Sequence, residues 1–153
     1  MAAYLYRLAG SPAYTPKKQV FTDVIPKNAF YKEISWAAER AITTGWKVRG
    51  HKEFRPWQPI DRNAMAAFLR RFVQTPEFKA KYPDSRALAM VADTADRHGL
   101  RDVKKGMAFA DDIFWAYNSG VTTGWKEDKT FRPWERIDRN AMAAFVYRMT
   151  VSK

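Results

Sequence analysis

Two arginines, Arg62 and Arg139, hold the strongest chemical positions in this sequence of 153 residues. Each is the third residue of an Ile-Asp-Arg-Asn-Ala-Met-Ala-Ala-Phe run, found at 60–68 and again at 137–145. With the aspartate as cap, the arginine enters the first turn of a helix, where free amides and the helix dipole favour anions. A guanidinium there adds a bidentate grip on a carboxylate. The competing role is structural: an ion pair with Asp23 or Asp102. Trp46 and Trp125 form a second matched pair, each directly after a Thr-Thr-Gly triplet. An indole so placed either stacks on a sugar ring or packs between units. Lys47 and Lys126 come next, in loops that also carry Arg49, Lys52 and Lys129. They either draw in a polyanion or simply stay solvated.

The elements that must position these groups are written as a repeat. Phe54-Arg55-Pro56-Trp57 returns as Phe131-Arg132-Pro133-Trp134. Upstream, Phe21, Asp23, Val24, Phe30, Ile34, Trp36, Ile42 and Gly45 correspond to Leu100, Asp102, Val103, Phe109, Ile113, Trp115, Val121 and Gly124. The opening Met1-Ala2-Ala3-Tyr4-Leu5-Tyr6-Arg7 matches the tail of the unit at 65–71 and 142–148. Such self-similarity signals modules that bury their apolar faces against one another. The spacing predicts helices over about 29–42 and about 62–73. Phe30, Ile34, Ala37, Ala41 and Ile42 form the first stripe; Ala64, Met65, Phe68, Leu69 and Phe72 form the second. Gly45 is expected to close the first helix in a left-handed conformation, and the Asp61 carboxylate to cap the second. Asp84 to His98 reads as an additional helix. Residues 1–20 are then the end of a truncated repeat plus linker, 21–73 a repeat, 74–99 an inserted helix or linker, and 100–153 a second repeat. Trp36 and Trp115 are assigned to the core, and Trp57 and Trp134 to packing beside their prolines. The loop after the repeat tryptophan shrinks from 47–53 to 126–130, which places it at the surface in both units.

Charge narrows the partner class. The net charge is +11, from 27 Lys/Arg and 16 Asp/Glu, and favours nucleic acid, acidic lipid or acidic wall polymer. Residues 1–76 hold 13 basic and 5 acidic residues, or +8; residues 77–153 hold 14 and 11, or +3. A hydrophobic content of 46% is enough for a packed core. The absence of cysteine excludes disulfides, thiolate metal sites and cysteine nucleophiles. His51 and His98 lack partners at metal-ligand spacing. Asp111-Asp112 and Glu127-Asp128 are not repeated at matching positions and read as solvated surface rather than an acid/base pair for sugar hydrolysis. With no phosphate-cradling loop and no Gly-x-Ser-x-Gly elbow, a binding module is expected rather than an enzyme, with no cofactor and no metal. No apolar run approaches the roughly 20 residues of a membrane helix. The N-terminus has no signal-peptide pattern and falls in mid-repeat, so the chain reads as a fragment or a C-terminal piece.

The joint pattern of Phe-x-Asp-Val, Trp-Ala, Thr-Gly-Trp, Phe-Arg-Pro and Ile-Asp-Arg-Asn-Ala-Met-Ala resembles the S-layer homology repeat, in the form found on surface proteins of Gram-positive actinobacteria. The resemblance covers about 21–72 and about 100–149, plus the tail of a unit at 1–9. It implies an all-α fold of helix–loop–helix repeats packed as a pseudo-threefold bundle, complete or incomplete, closed within the chain or by exchange with another copy. It also implies non-covalent anchoring to an anionic cell-wall polysaccharide, a location at the cell surface, and an effector domain carried in the parent protein. The family's better-studied members begin the second helix with Ile-Thr-Arg-Ala-Glu, whose arginine helps hold the polymer's acidic group. Here the arginine is kept as Arg62 and Arg139, aspartate replaces threonine, and the glutamate has no counterpart. The ligand set is therefore Arg62, Arg139, Trp46, Trp125, Lys47 and Lys126. Two alternatives remain: a basic helical module that binds nucleic acid, and a structural module for protein contacts in a surface layer.

Overall fold

A computed structural model describes residues 1–151; Ser152 and Lys153, the end of the second expected repeat, lie outside the described residues. The chain forms two compact units, Met1–Gln58 and Pro59–Lys153.

In the first unit, α1 (Ala2–Leu8) packs on α2 (Tyr31–Glu39). The contact centres on an edge-to-face pair of Tyr6 and Trp36, with ring centroids 5.3 Å apart. The Tyr6 hydroxyl donates to the Pro12 carbonyl and ties down the turn that follows α1. The stripe expected on α2 is shorter than its sequence suggests. Phe30 is the N-cap in a left-handed conformation and is exposed, while Ala41 takes the left-handed position that ends the helix. The Ile42 amide then reaches back to the Ala37 carbonyl. Gly45, expected to close α2, serves a later bend: a Cβ there would lie 2.7 Å from the Glu53 carbonyl oxygen and collide with the edge of the Phe21 ring.

Beyond that glycine, β1 (Trp46–Val48) and β2 (His51–Glu53) pair antiparallel, Trp46 opposite Glu53 and Val48 opposite His51. Arg49 and Gly50 both have positive φ, as a two-residue hairpin turn of type I′ requires. This hairpin corrects the all-α expectation and the helical threefold bundle that went with it. Helices make up 38% of the chain, and the region read as a basic loop contains a two-stranded sheet. The cause is local, because Arg-Gly between short extended flanks matches the twist of paired strands.

In the second unit, α3 (Arg62–Phe72) packs on α6 (Ala110–Asn118), with Met65, Leu69, Phe72, Ile113 and Trp115 fully buried. Between them lie α4 (Pro76–Lys81) and α5 (Arg86–Ala89). The helix expected over 84–98 is therefore realised as one turn, with a separate helix ahead of it. Thr75 and Ser85 cap these two helices, accepting from the amides of Phe78 and Leu88. Ser85 Oγ also donates to the Met149 carbonyl at 2.6 Å and fastens α5 to α7 (Arg139–Thr150). The Trp115 indole donates to the Ala87 carbonyl at 3.0 Å. Trp36 and Trp115 are core residues, as expected.

Candidate functional site

The start of α3 shows how the second unit is assembled. Asp61 is the N-cap but makes no side-chain cap. Instead the Arg62 amide donates to the Glu135 carbonyl at 2.9 Å and the Asn63 amide to Pro133 at 3.0 Å. Backbone oxygens thus saturate the amides that were expected to receive an anion. The Ile137 amide returns to the Ile60 carbonyl at 3.1 Å, which makes a short antiparallel bridge around Asp61 and Arg136.

This seat draws the Arg62 side chain inward. It is 5% exposed, its Nε donates to the Phe131 carbonyl at 2.8 Å, and its guanidinium lies 4.2 Å from the Trp125 ring centroid, 4.8 Å from Phe131 and 5.3 Å from Phe145. Burial pushes the guanidinium down to about 10. Among the described residues it has no carboxylate at ion-pair distance, and its terminal nitrogens make no hydrogen bond and are not sealed from solvent. The aromatic faces compensate only part of the desolvation.

Trp125 carries a second guanidinium, that of Arg132, at 4.4 Å. Arg132 was not singled out from the sequence. Its backbone is left-handed (φ 59°) because both Asp102 oxygens clamp it, accepting from the amides of Phe131 at 2.9 Å and Arg132 at 2.6 Å. Asp102 therefore braces a segment almost thirty residues away rather than pairing with an arginine. Asp128 anchors the Arg132 side chain at 3.2 Å, and is held below its usual range by the Thr130 hydroxyl and then by Arg132. The retention of Phe-Arg-Pro-Trp in both repeats was the available signal.

The first unit has the same clamp. Asp23 accepts from the amides of Phe54 at 2.8 Å and Arg55 at 2.7 Å, and Arg55 has φ 60°. The Arg55 guanidinium lies 5.0 Å from the Trp46 ring and pairs with Glu53 at 3.1 Å. Trp46 itself is 59% exposed. Trp57 at 85% and Trp134 at 63% are exposed platforms, not packing residues: the proline turns direct them outward. Lys47 and Lys126 are exposed. So is Arg139, whose amide, like that of Asn140, has no partner among the described residues. Of the six expected ligand residues, the structure brings Arg62 and Trp125 together, with Lys126 adjacent in sequence. Arg139 is not in this cluster.

Repeated tryptophan–arginine centres, each held by an aspartate clamp, are thus the common product of the two repeats. The S-layer homology domain matches the chain over residues 20–66 and 100–143, more than half its length. The chain belongs to the S-layer homology family. Its domains are cell-wall anchoring modules that bind secondary cell-wall polymers, so this module is associated with the wall at the cell surface. No curated protein and no solved structure matches it. Among the described residues no helix is long and apolar enough to cross a membrane, and no group of His, Asp and Glu side chains could hold a metal. The Arg62–Trp125 contact joins the two S-layer homology repeats, since each contributes one residue.

Proposed function

We propose that this S-layer homology module binds an acidic wall polysaccharide, and that Arg62, Trp125 and Arg132 receive a carboxylate carried on one of its sugars. The observation that supports this most is Arg62: a buried cation with unused donors and, among the described residues, no carboxylate at ion-pair distance. An anion entering there would gain a charge-assisted, two-pronged hydrogen bond in a site where solvent competes weakly. Trp134 and Lys126, both exposed and close in sequence to Arg132 and Trp125, would supply an aromatic platform and general attraction. In the first unit, Trp46, Trp57 and Lys47 supply a second exposed surface of the same type. The reading is one of binding without turnover, which serves to hold an attached effector domain at the wall.

The test is a pull-down on purified Gram-positive cell walls, beside heparin and DNA, with the wild type and Arg62→Met. Methionine keeps much of the volume among Trp125, Phe131 and Phe145 while removing the charge. Wall binding that the folded variant loses, with weak heparin and DNA binding, supports the site. Equal binding to every polyanion, falling steeply with salt and unchanged in the variant, would mean a generic basic surface of the kind that also binds nucleic acid.

A further inference from the structure

The loop after the repeat tryptophan carries a different charge in the two units. Residues 126–130 hold two basic and two acidic side chains, whereas residues 47–53 hold three basic and one acidic, histidine aside. Arg49-Gly50 are the turn of the β1–β2 hairpin, which the shorter loop lacks. Lys47 and Lys52 stand directly opposite each other across that hairpin. The Lys52 carbonyl points away from β1 and accepts from the Thr22 amide at 2.9 Å. The two lysines are therefore a non-hydrogen-bonded pair, the kind that brings side chains closest.

Like charges placed opposite each other weaken a hairpin. The hairpin's carboxylate gives no relief. Strand alternation puts Glu53 on the other face, where it accepts from Arg55 at 3.1 Å and meets His51 at 3.3 Å. Arg49 adds a third cation in the turn, at φ 43°, a conformation that asparagine and glycine adopt more readily. All three cations are exposed, and among the described residues their side chains make no ion pair. The exposure belongs to the loop: in the second unit, where a helix start lies against the tryptophan, Lys126, Glu127 and Lys129 are exposed as well. A strained turn and an opposed cation pair within one short hairpin are both relieved by a bound anion.

We propose that the β1–β2 hairpin binds phosphate groups of the wall polymer, with Lys47 and Lys52 gripping from one face and Arg49 adding a contact at the tip. Ammonium groups act as point charges that meet a phosphate from any direction, whereas a planar guanidinium such as that of Arg62 matches a carboxylate edge to edge. The module then reads two anion chemistries, one in each unit. That the phosphate is carried on a wall polymer rests on the anchoring reading above; that the hairpin holds phosphate does not.

The test follows backbone amide shifts by NMR as the full chain is titrated with poly(glycerol phosphate), polygalacturonate or single-stranded DNA of equal charge. The proteins are the wild type, Arg49→Asn/Lys52→Thr and Arg62→Met. Asparagine suits the turn and threonine the strand, so the double variant should keep a Tm at or above that of the wild type. Poly(glycerol phosphate) is expected to shift the amides of 46–53 in the wild type and in Arg62→Met, and to bind the double variant roughly tenfold more weakly. Polygalacturonate should leave those amides in place. A folded double variant that binds poly(glycerol phosphate) like the wild type would overturn the proposal, and so would polygalacturonate moving the same amides as strongly. DNA bound as tightly through the hairpin would assign it to nucleic acid instead. Polygalacturonate binding that Arg62→Met leaves intact would count against the carboxylate site alone.

Discussion

The loops at Trp46 and Trp125 are built from the same parts and reach different ends. Both have an aspartate clamp, a left-handed arginine and an arginine–tryptophan contact. Only the second holds a helix start, and there the phenylalanine is fully buried and a second guanidinium lies on the indole. The backbone of the centre is therefore set inside one repeat, by residues at fixed spacing. The burial of its arginine is set by a neighbouring helix. A repeat encodes the first completely and the second only in partnership.

The largest effect is expected where the two loops agree most closely. Gly124 has φ 57°, and a Cβ there would lie 2.8 Å from the Thr130 carbonyl oxygen and 2.9 Å from the Tyr117 ring. Gly45 meets the Glu53 carbonyl and Phe21 in the same way. Backbone strain and overpacking add, so Gly124→Ala should cost roughly 3 kcal/mol in urea unfolding, and Gly45→Ala a similar amount. A cost under about 1 kcal/mol at either glycine would mean that its loop can open without consequence.

Arg62 and Arg139 should differ most among residues that share a sequence environment. Arg62→Ala empties an aromatic cage and strands the Phe131 carbonyl, at a cost of about 2 kcal/mol. Arg139→Ala changes an exposed side chain, and the stability of the isolated chain should move by less than about 0.5 kcal/mol. Arg62→Met belongs with this pair: it removes a desolvated charge while keeping bulk, so its cost should stay near 1 kcal/mol. Denaturant midpoints decide between them. Equal costs for the two alanine variants would erase the asymmetry drawn between the loops.

How much of this was legible in the sequence follows the same division. The repeat, its family, the core tryptophans and the helices around 31–39, 62–72, 110–118 and 139–150 could be read from spacing and type, because local periodicity determines them. The hairpin was missed because a loop rich in lysine and arginine hides a strand pattern of only three residues per side. Asp61 stands at the expected N-cap, but its carboxylate makes no cap bond, because the carbonyls of Pro133 and Glu135 take the amides of Asn63 and Arg62. Trp57 and Trp134 were misread as packing residues, for the direction of an indole beside proline depends on the turn. At the site, pairing Arg62 with Trp125 needed a contact between repeats, and Arg132 escaped notice because its aspartate clamp spans thirty positions.

The smallest effect concerns the ends of the two first helices, where the repeats differ by a single methyl group. Ala41 and Gly120 occupy the same left-handed position after α2 and α6, with φ 55° and 79°. A residue with a Cβ pays for that conformation, by about 1 kcal/mol in most hosts. Ala41 is exposed, and a Cβ on Gly120 would meet nothing within 4 Å, so packing should not mask the backbone term at either place. Ala41→Gly should therefore stabilise the chain by ~1 kcal/mol and Gly120→Ala destabilise it by a similar amount. The double variant, which exchanges the two residues, should return close to the starting stability if the sites are independent. A gain at position 41 without the matching loss at 120 would show that the two helix ends, alike in sequence and backbone, are not held with equal firmness.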